Sequence, residues 1–334
     1  MDLFLAVDGG QTTTKVALAD EHGRILAQTT GGPSDHTEEP GGEERLKQVV
    51  AMAVNNALRA VGRTSVADQE FAAACFGMTG ETTIKRRVLE QLIKTPRLSV
   101  VHDSVNALVG ATAGRPGLIV IAGTGSVARG MDGRGREVRF GGWGHLFGDE
   151  GSAFWIAREA IRAIAAELDG LGGPTSLTSM FLNRLGVASA YKLMEKYYSG
   201  EWSRDHMAGL AVWVNEAVVA GDRAAQTILQ DAGRQLARFA VTIFSLLFKP
   251  GRTSGAEPDL ARTAVISYIG GVFENRVVLS AFKEAIHHTY VDARIEPPLL
   301  SPVLGCLLMA YAAAGIEPSE AVRRGWMEAP APTS

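Results

Sequence analysis

The sequence predicts a two-domain α/β protein, and three observations predict it. At 334 residues the chain exceeds one typical domain of about 150. Short apolar runs of strand type alternate with longer stretches of helical period. The order strand, glycine-rich hairpin, strand, turn occurs twice, from residue 3 and again from residue 118, which reads as a weak internal duplication.

Residues 3–7 (LFLAV) form the first strand and stop at Asp8-Gly9-Gly10; residues 15–19 (KVALA) return, and the turn at 21–24 leads into a third strand at 25–27. From residue 43 the period changes. Leu46, Val49, Val50, Ala53, Ala57 and Val61 recur at helical spacing, so 43–61 is an amphipathic helix ended by Gly62. A buried strand follows at 71–76, a helix at 82–93, a strand at 98–101 that ends at His102-Asp103, and a short helix at 104–113. Gly114-Arg115-Pro116-Gly117 breaks the chain and marks the domain boundary.

The second half restarts with a strand at 118–122, a glycine turn at 123–126, a return strand at 127–131 and a turn at 132–135. Helices are expected at 152–168, 175–185, 207–220 and 223–248. The last of these places Ile228, Ala232, Leu236, Phe239, Ile243 and Leu247 on one face. A strand at 263–269 runs into Gly270-Gly271, with helices from 276 and over 302–314. The expected division is 1–113, then 114–315 with a helical insertion, then a tail at 316–334 whose final residues, 329–334, fray.

Composition narrows the function classes. Apolar residues are 46% and charged residues 21%, a globular balance. A net charge of −3 leaves no positive excess for non-specific nucleic-acid or anionic-membrane binding. Cys75 and Cys306 stand alone, with neither a disulfide framework nor a zinc motif around them, which fits a reducing, cytoplasmic compartment. The start of the chain lacks a basic signal-peptide region, and the longest apolar run, 239–248, is 10 residues against the about 20 that a membrane span requires. Ten of the 38 glycines fall between Gly123 and Gly151, a local excess with a local cause.

Five positions along the chain carry candidate chemistry. The first is Asp8-Gly9-Gly10-Gln11-Thr12-Thr13-Thr14-Lys15, where glycine backbone and three hydroxyls offer donors to a polyphosphate; an ordinary hairpin with exposed threonines is the alternative. Gly123-Thr124-Gly125-Ser126 repeats that logic, and the recurrence at the head of each half is more specific than either turn alone. Asp103 ends a strand and precedes a helix, a position that suits both an N-cap and a general base for phosphoryl transfer; the two roles are compatible. His102 is expected on the opposite face if the strand alternates. The densest segment runs from Gly141 to Ser152 with five glycines in its first eleven residues. Gly142, Trp143, Gly144 and Asp149 there suit a sugar face and its hydroxyls, and the alternative is an inward Trp143 with acids at a helix start. Gly270-Gly271 ends a strand ahead of a helix, where a base could lie on glycine backbone or a plain tight turn could form.

The ordered set DGGQTTTK, VVHDSVNA, VIAGTGSVAR, GGWGHLFGDEGSAFWIA and YIGGVFEN resembles the superfamily of sugar kinases, actin and heat-shock chaperone ATPases. Within it the chain is similar to the N-acetylglucosamine kinases of the BadF/BadG/BcrA/BcrD ATPase family, over residues from about 3 to 315. The resemblance implies two ribonuclease-H-like (actin-like ATPase) domains with mixed sheets flanked by helices, closing on MgATP in a cleft. It implies that Asp103 activates the 6-hydroxyl of an amino sugar, most simply N-acetylglucosamine. Gly10, Gln11, Thr12, Thr13 and Lys15 with Gly123, Thr124, Gly125 and Ser126 would hold the nucleotide phosphates, Asp8 would help position Mg²⁺, and Gly270 and Gly271 would face adenosine. Trp143, Gly144, Asp149, Ser152 and Thr79 would form the sugar pocket.

One departure stands out. The family usually offers an Asn-His pair to the sugar, and here the candidate is Ser34-Asp35-His36. An ionised Asp35 only accepts hydrogen bonds, so it favours an ammonium at C2 and brings glucosamine into competition. Other readings within the superfamily are an activator ATPase, which needs presented thiolates; a sugar-sensing repressor, whose DNA-binding head has no room before Leu3; and a filament former, which has no use for the Trp143 loop. Relatives of this kind are often dimers, and a homodimer is an expectation here too.

Overall fold

β1 (Leu3–Gly9), β2 (Thr14–Asp20) and β3 (Ile25–Gly31) form the antiparallel opening that the hairpin spacing predicts. The computed structural model describes residues 1–35, 37–248 and 260–328. α1 (Gly42–Ala60), β4 (Ala73–Met78), α2 (Thr83–Leu92), β5 (Leu98–His102) and α3 (Asp103–Thr112) follow. β4 adds in parallel to β1, and β5 to β4, giving a five-stranded mixed sheet in the order β3-β2-β1-β4-β5. Strand alternation splits its side chains between two faces. Leu3, Leu5, Val7, Val16 and Leu18 meet Leu46, Val50 and Val54 of α1 on one side, and Phe4, Ala6, Ala17 and Ala19 face the other.

The second sheet repeats the plan with β6 (Gly117–Ala122), β7 (Ser126–Met131) and β8 (Glu137–Gly141) antiparallel. The helices α4 (Ala153–Leu168), α5 (Ser176–Leu185), α6 (Ala190–Tyr198), α7 (Arg204–Gly209), α8 (Ala211–Val219), α9 (Arg223–Phe248) and the short α10 (Leu260–Thr263) come next. β9 (Val265–Ile269), a 3₁₀ turn at Gly271–Glu274, α11 (Arg276–Thr289) and β10 (Arg294–Glu296) complete this half, and the strand order β10-β9-β6-β7-β8 matches that of the first sheet. The duplicated opening therefore extends to whole sheets, as the ribonuclease-H-like expectation requires. β8 and β10 escape the sequence reading because each is short and only partly buried, without clean alternation. The helix expected at 207–220 is two helices, α7 and α8, meeting at Leu210. In α9 the predicted face is buried at Ile228, Ala232, Leu236, Ile243 and Leu247, while Phe239 is half-buried at its margin.

The chain divides into two units, Met1–Arg115 with the segment that begins at Pro298, and Pro116–Pro297. Residues 298–315, expected in the second domain, thus belong with the first. α12 (Pro302–Ala313) covers the Phe4–Ala6 face of the first sheet with Val303, Leu307, Ala310 and Tyr311. The helix is buried almost all round, so it has no polar stripe to indicate which sheet it serves. The expected tail contains α13 (Glu320–Glu328), and residues 329–334 lie outside those described. Trp326 anchors α13: it is buried, stacks on Tyr311 with ring centroids 6.1 Å apart, and donates from Nε1 to Gly23 O at 2.8 Å. Trp326→Ala is expected to cost about 3–5 kcal/mol in urea unfolding; a loss under about 1 kcal/mol would show that α13 is dispensable.

Candidate active site

β1, β4 and β5 are parallel and end together, with Gly9 level with Met78 and Met78 level with His102. Asp8, Thr79 and Asp103 therefore gather at the carboxyl edge of the first sheet, where ligands of α/β sheets bind. Asp103 is the first helical residue of α3, and His102 is its N-cap. Asp103 Oδ2 accepts from Thr79 Oγ1 at 2.7 Å, and Oδ1 lies 2.8 Å from His102 Nδ1. The expected opposite orientation of His102 fails because alternation ends at the strand–helix junction. Nδ1 also lies 3.2 Å from the Ser104 N–H, but one nitrogen cannot donate to Asp103 and accept from Ser104 at once. The shorter, charge-assisted contact to the carboxylate prevails.

Burial works to raise the Asp103 pKa, but hydrogen bonds and charge from His102, with the Thr79 hydroxyl and Ser104 N–H, hold it below the usual carboxylate value. Asp103 is ionised at neutral pH, partly exposed and fixed in orientation. These are the properties of a base.

Asp8 behaves in the opposite way. Burial pushes its pKa up, against the Asn106 hydrogen bond and the Lys15 charge, while the nearby Asp103 charge adds to the rise. Asp8 Oδ1 accepts from Asn106 Nδ2 at 3.0 Å, and Lys15 stands directly across the β1–β2 ladder. A half-buried carboxylate whose pKa burial raises suits a divalent cation. No cluster of three or more His, Cys, Asp or Glu able to hold a metal occurs among the described residues. Mg²⁺ commonly takes one or two carboxylates and fills its shell with water and phosphate oxygens, so Asp8 fits that ion.

The first glycine turn is closed by Gly10 N–H donating to Thr13 O at 2.9 Å, and it leaves Gln11, Thr12 and Thr13 exposed. Beyond β3, the half-buried Asp35 lies 3.3 Å from Lys85 Nζ. Lys85 is fully buried at 1% exposure and also donates to Thr79 O. Asp35 therefore has a buried counter-charge that spacing could not reveal, which removes the charge argument for a substrate ammonium. His36 lies outside the described residues.

In the second unit the turn at 123–126 is built into the start of α4. Gly123 O accepts from Ala153 N–H at 2.9 Å and Thr124 O from Phe154 N–H at 3.3 Å, while Ser152, buried, caps α4 by accepting from Trp155 N–H. Asp149 is 2% exposed with φ +60°, accepts from Ser126 N–H at 3.1 Å through Oδ1 and pairs with Arg204 at 2.8 Å through Oδ2. The structure thus sets Asp149 and Ser152 against the phosphate-type turn. A Cβ on Gly125 would sit 2.7 Å from Asp149 Oδ1 and strike the Arg204 guanidinium, so any side chain there displaces the Asp149–Arg204 pair. Gly270, at φ +111°, ends β9 beside the end of β6, where a Cβ would run into Ala122 backbone. The 123–126 and 270–271 turns consequently share one sheet edge. The 142–151 loop has no regular structure; Gly142 and Gly144 adopt positive φ, and Trp143 is 74% exposed, so its ring faces outward.

Three residues escaped the sequence reading. Asn106 stands three positions after Asp103, on the same helix face, which spacing alone could have flagged. Lys85 shares the buried face of α2 with Val88 and Leu89, an anomaly for lysine. Arg204 carries no local signal. Cys75 and Cys306 are both buried in the core of the first unit, with Cys306 Sγ donating to Val7 O. No helix among the described residues is long and apolar enough to cross a membrane.

The profile of the BadF/BadG/BcrA/BcrD ATPase family matches residues 5–310. The chain is 28% identical over 316 residues to the N-acetylmuramic acid/N-acetylglucosamine kinase of Clostridium acetobutylicum, covering 93% of this chain and 98% of that one. It is 28% identical over 324 residues to the N-acetyl-D-glucosamine kinase of Dictyostelium discoideum, covering 92% and 98%. The solved structure of a candidate N-acetylglucosamine kinase from Chromobacterium violaceum superposes with a TM-score of 0.71 at 25% identity, covering 93% and 99%.

Proposed function

The chain belongs to the BadF/BadG/BcrA/BcrD ATPase family, and from that premise we propose that it is an ATP-dependent sugar kinase. Its acceptor is the 6-hydroxyl of an amino sugar, N-acetylglucosamine first among them. The observation that carries the reading is the ionised, oriented Asp103 at the carboxyl edge of the first sheet, held by Thr79 and His102. Both curated relatives named above act on N-acetylglucosamine by their names, and each covers more than nine-tenths of this chain.

In this mechanism Asp103 accepts the proton of the attacking hydroxyl as its oxygen bonds to the γ-phosphorus, and the bond to the bridging oxygen of ADP breaks. Thr79 and His102 keep the carboxylate aimed and charged. In the first unit Gln11, Thr12 and Thr13 with Lys15 are the candidate partners of phosphate oxygens, and in the second unit Thr124 and Gly125 are, since the N–H groups of Gly10, Gly123 and Ser126 close their own turns; Gly270 and Gly271 leave room for adenosine. Asp8 would hold Mg²⁺, which neutralises phosphate charge when bound. The exposed Trp143 offers an apolar face to the sugar beside Gly142 and Gly144. An activator-type ATPase would need accessible thiolates, and both cysteines are buried.

A coupled ADP-release assay over N-acetylglucosamine, glucosamine, N-acetylmuramic acid and glucose tests this. The expected kcat/KM favours N-acetylglucosamine over glucosamine by at least about tenfold, or about 1.4 kcal/mol. The reverse preference would overturn the sugar assignment. Absence of any sugar-dependent ADP release would overturn the kinase reading.

A further inference from the structure

Lys85 lies on the buried face of α2 with its ammonium turned to two loops at once. It donates to Thr79 O, the backbone of the residue whose hydroxyl holds Asp103, and it pairs with Asp35 at 3.3 Å. A Cβ built on Gly80, the residue next to Thr79, would lie 3.5 Å from Asp35 Oδ1 and 3.6 Å from Lys85 Nζ. The Asp35–Lys85 pair is therefore about one residue away from the partner of the base. An acceptor whose hydroxyl reaches Asp103 brings its other substituents towards this pair.

We propose that Lys85 is a positioning and specificity residue: it fixes the Thr79 carbonyl so that the Thr79 hydroxyl aims Asp103, and its charge cancels that of Asp35 so that the acceptor site does not favour a cationic sugar. The inference rests on the sugar-kinase reading. Its physical basis is twofold. Burying a lysine is costly unless the ammonium is paired and hydrogen-bonded, and Lys85 meets both conditions only by bridging the two loops. Electrostatic interaction at a partly desolvated carboxylate is several times stronger than in bulk water. Without a counter-charge, Asp35 would select an ammonium over an acetamide.

The test uses the full-length protein with N-acetylglucosamine and glucosamine as acceptors. Wild-type activity on the panel is measured first; its absence ends the kinase reading and this inference with it. Lys85→Met is expected to lower kcat on N-acetylglucosamine by about 10–100-fold, the scale of a displaced catalytic group, with KM for ATP changed less than threefold. The ratio of kcat/KM for N-acetylglucosamine to that for glucosamine is expected to fall at least tenfold. Lys85→Met/Asp35→Asn, with both charges gone, is expected to restore that ratio but not kcat, and Lys85→Arg should retain most of both. Asp35→Asn removes the ion pair but leaves Lys85 its hydrogen bond to Thr79 O; with the fold checked by circular dichroism it should raise the ratio several-fold, which gives a second test if Lys85→Met does not fold. An unchanged ratio in Asp35→Asn, or in a folded Lys85→Met, would overturn the specificity role. A kcat within threefold of wild type in folded Lys85→Met would overturn the positioning role.

Discussion

Asp103→Asn is expected to lower kcat by about 10²–10⁴, the usual span for loss of a general base, with ATP affinity nearly unchanged. The fold should survive. Thr79 Oγ1 can still donate to the asparagine carbonyl oxygen, and residue 103 is the first helical residue of α3 rather than its N-cap position. The remaining structural cost is the lost negative charge in the first helical turn, about 0.3–1 kcal/mol at most exposed sites. Steady-state kinetics with circular dichroism checks both parts. If kcat stays within a few-fold of wild type in the folded variant, Asp103 serves the helix start and the proposed mechanism fails.

The second large effect is expected at Gly125→Val. The first added carbon alone meets the Asp149–Arg204 pair, and the branch adds bulk in the turn proposed to receive phosphate. Asp149 must then release Ser126 N–H or Arg204, and the turn loses its shape. KM for ATP is expected to rise at least about tenfold, or about 1.4 kcal/mol, well beyond any change in KM for the sugar. Gly125→Ala, which adds the first carbon without the branch, should show the same direction with a smaller effect. Equal effects on both substrates in folded protein would count against this turn as a nucleotide clamp.

Much of the fold was legible because it rests on local signals. The two hairpins, α1 and α9 declare themselves through turn glycines and through apolar residues at helical spacing. The α12 assignment failed for the converse reason: a helix buried almost all round carries no directional pattern, so its partner sheet is a tertiary fact. At the site, Asp8 and Asp103 were legible as strand-end residues, Thr79 entered only through the family resemblance, and parallel register brings the three together. Asp149 read as a partner of sugar hydroxyls, or an acid at a helix start, because its loop is rich in glycine. Its burial depends on Arg204, 55 positions away, which no local pattern can announce. The same holds for Lys85 and Asp35, separated by 50 positions.

The return of the chain to its first unit also sets an order of events during synthesis. The second unit is continuous, 116–297, and every strand it pairs has left the ribosome before the chain ends. The first unit is not. Its sheet is made early, but the face bearing Phe4, Ala6, Ala17 and Ala19 stays uncovered until residues 302–313 emerge. Domains generally fold in the order they are made, starting from the N-terminal side, and this topology reverses that order. The half that carries Asp103 is begun first and completed last, so a truncated product ending before α12 has Asp103 without the layer that covers this face of its sheet.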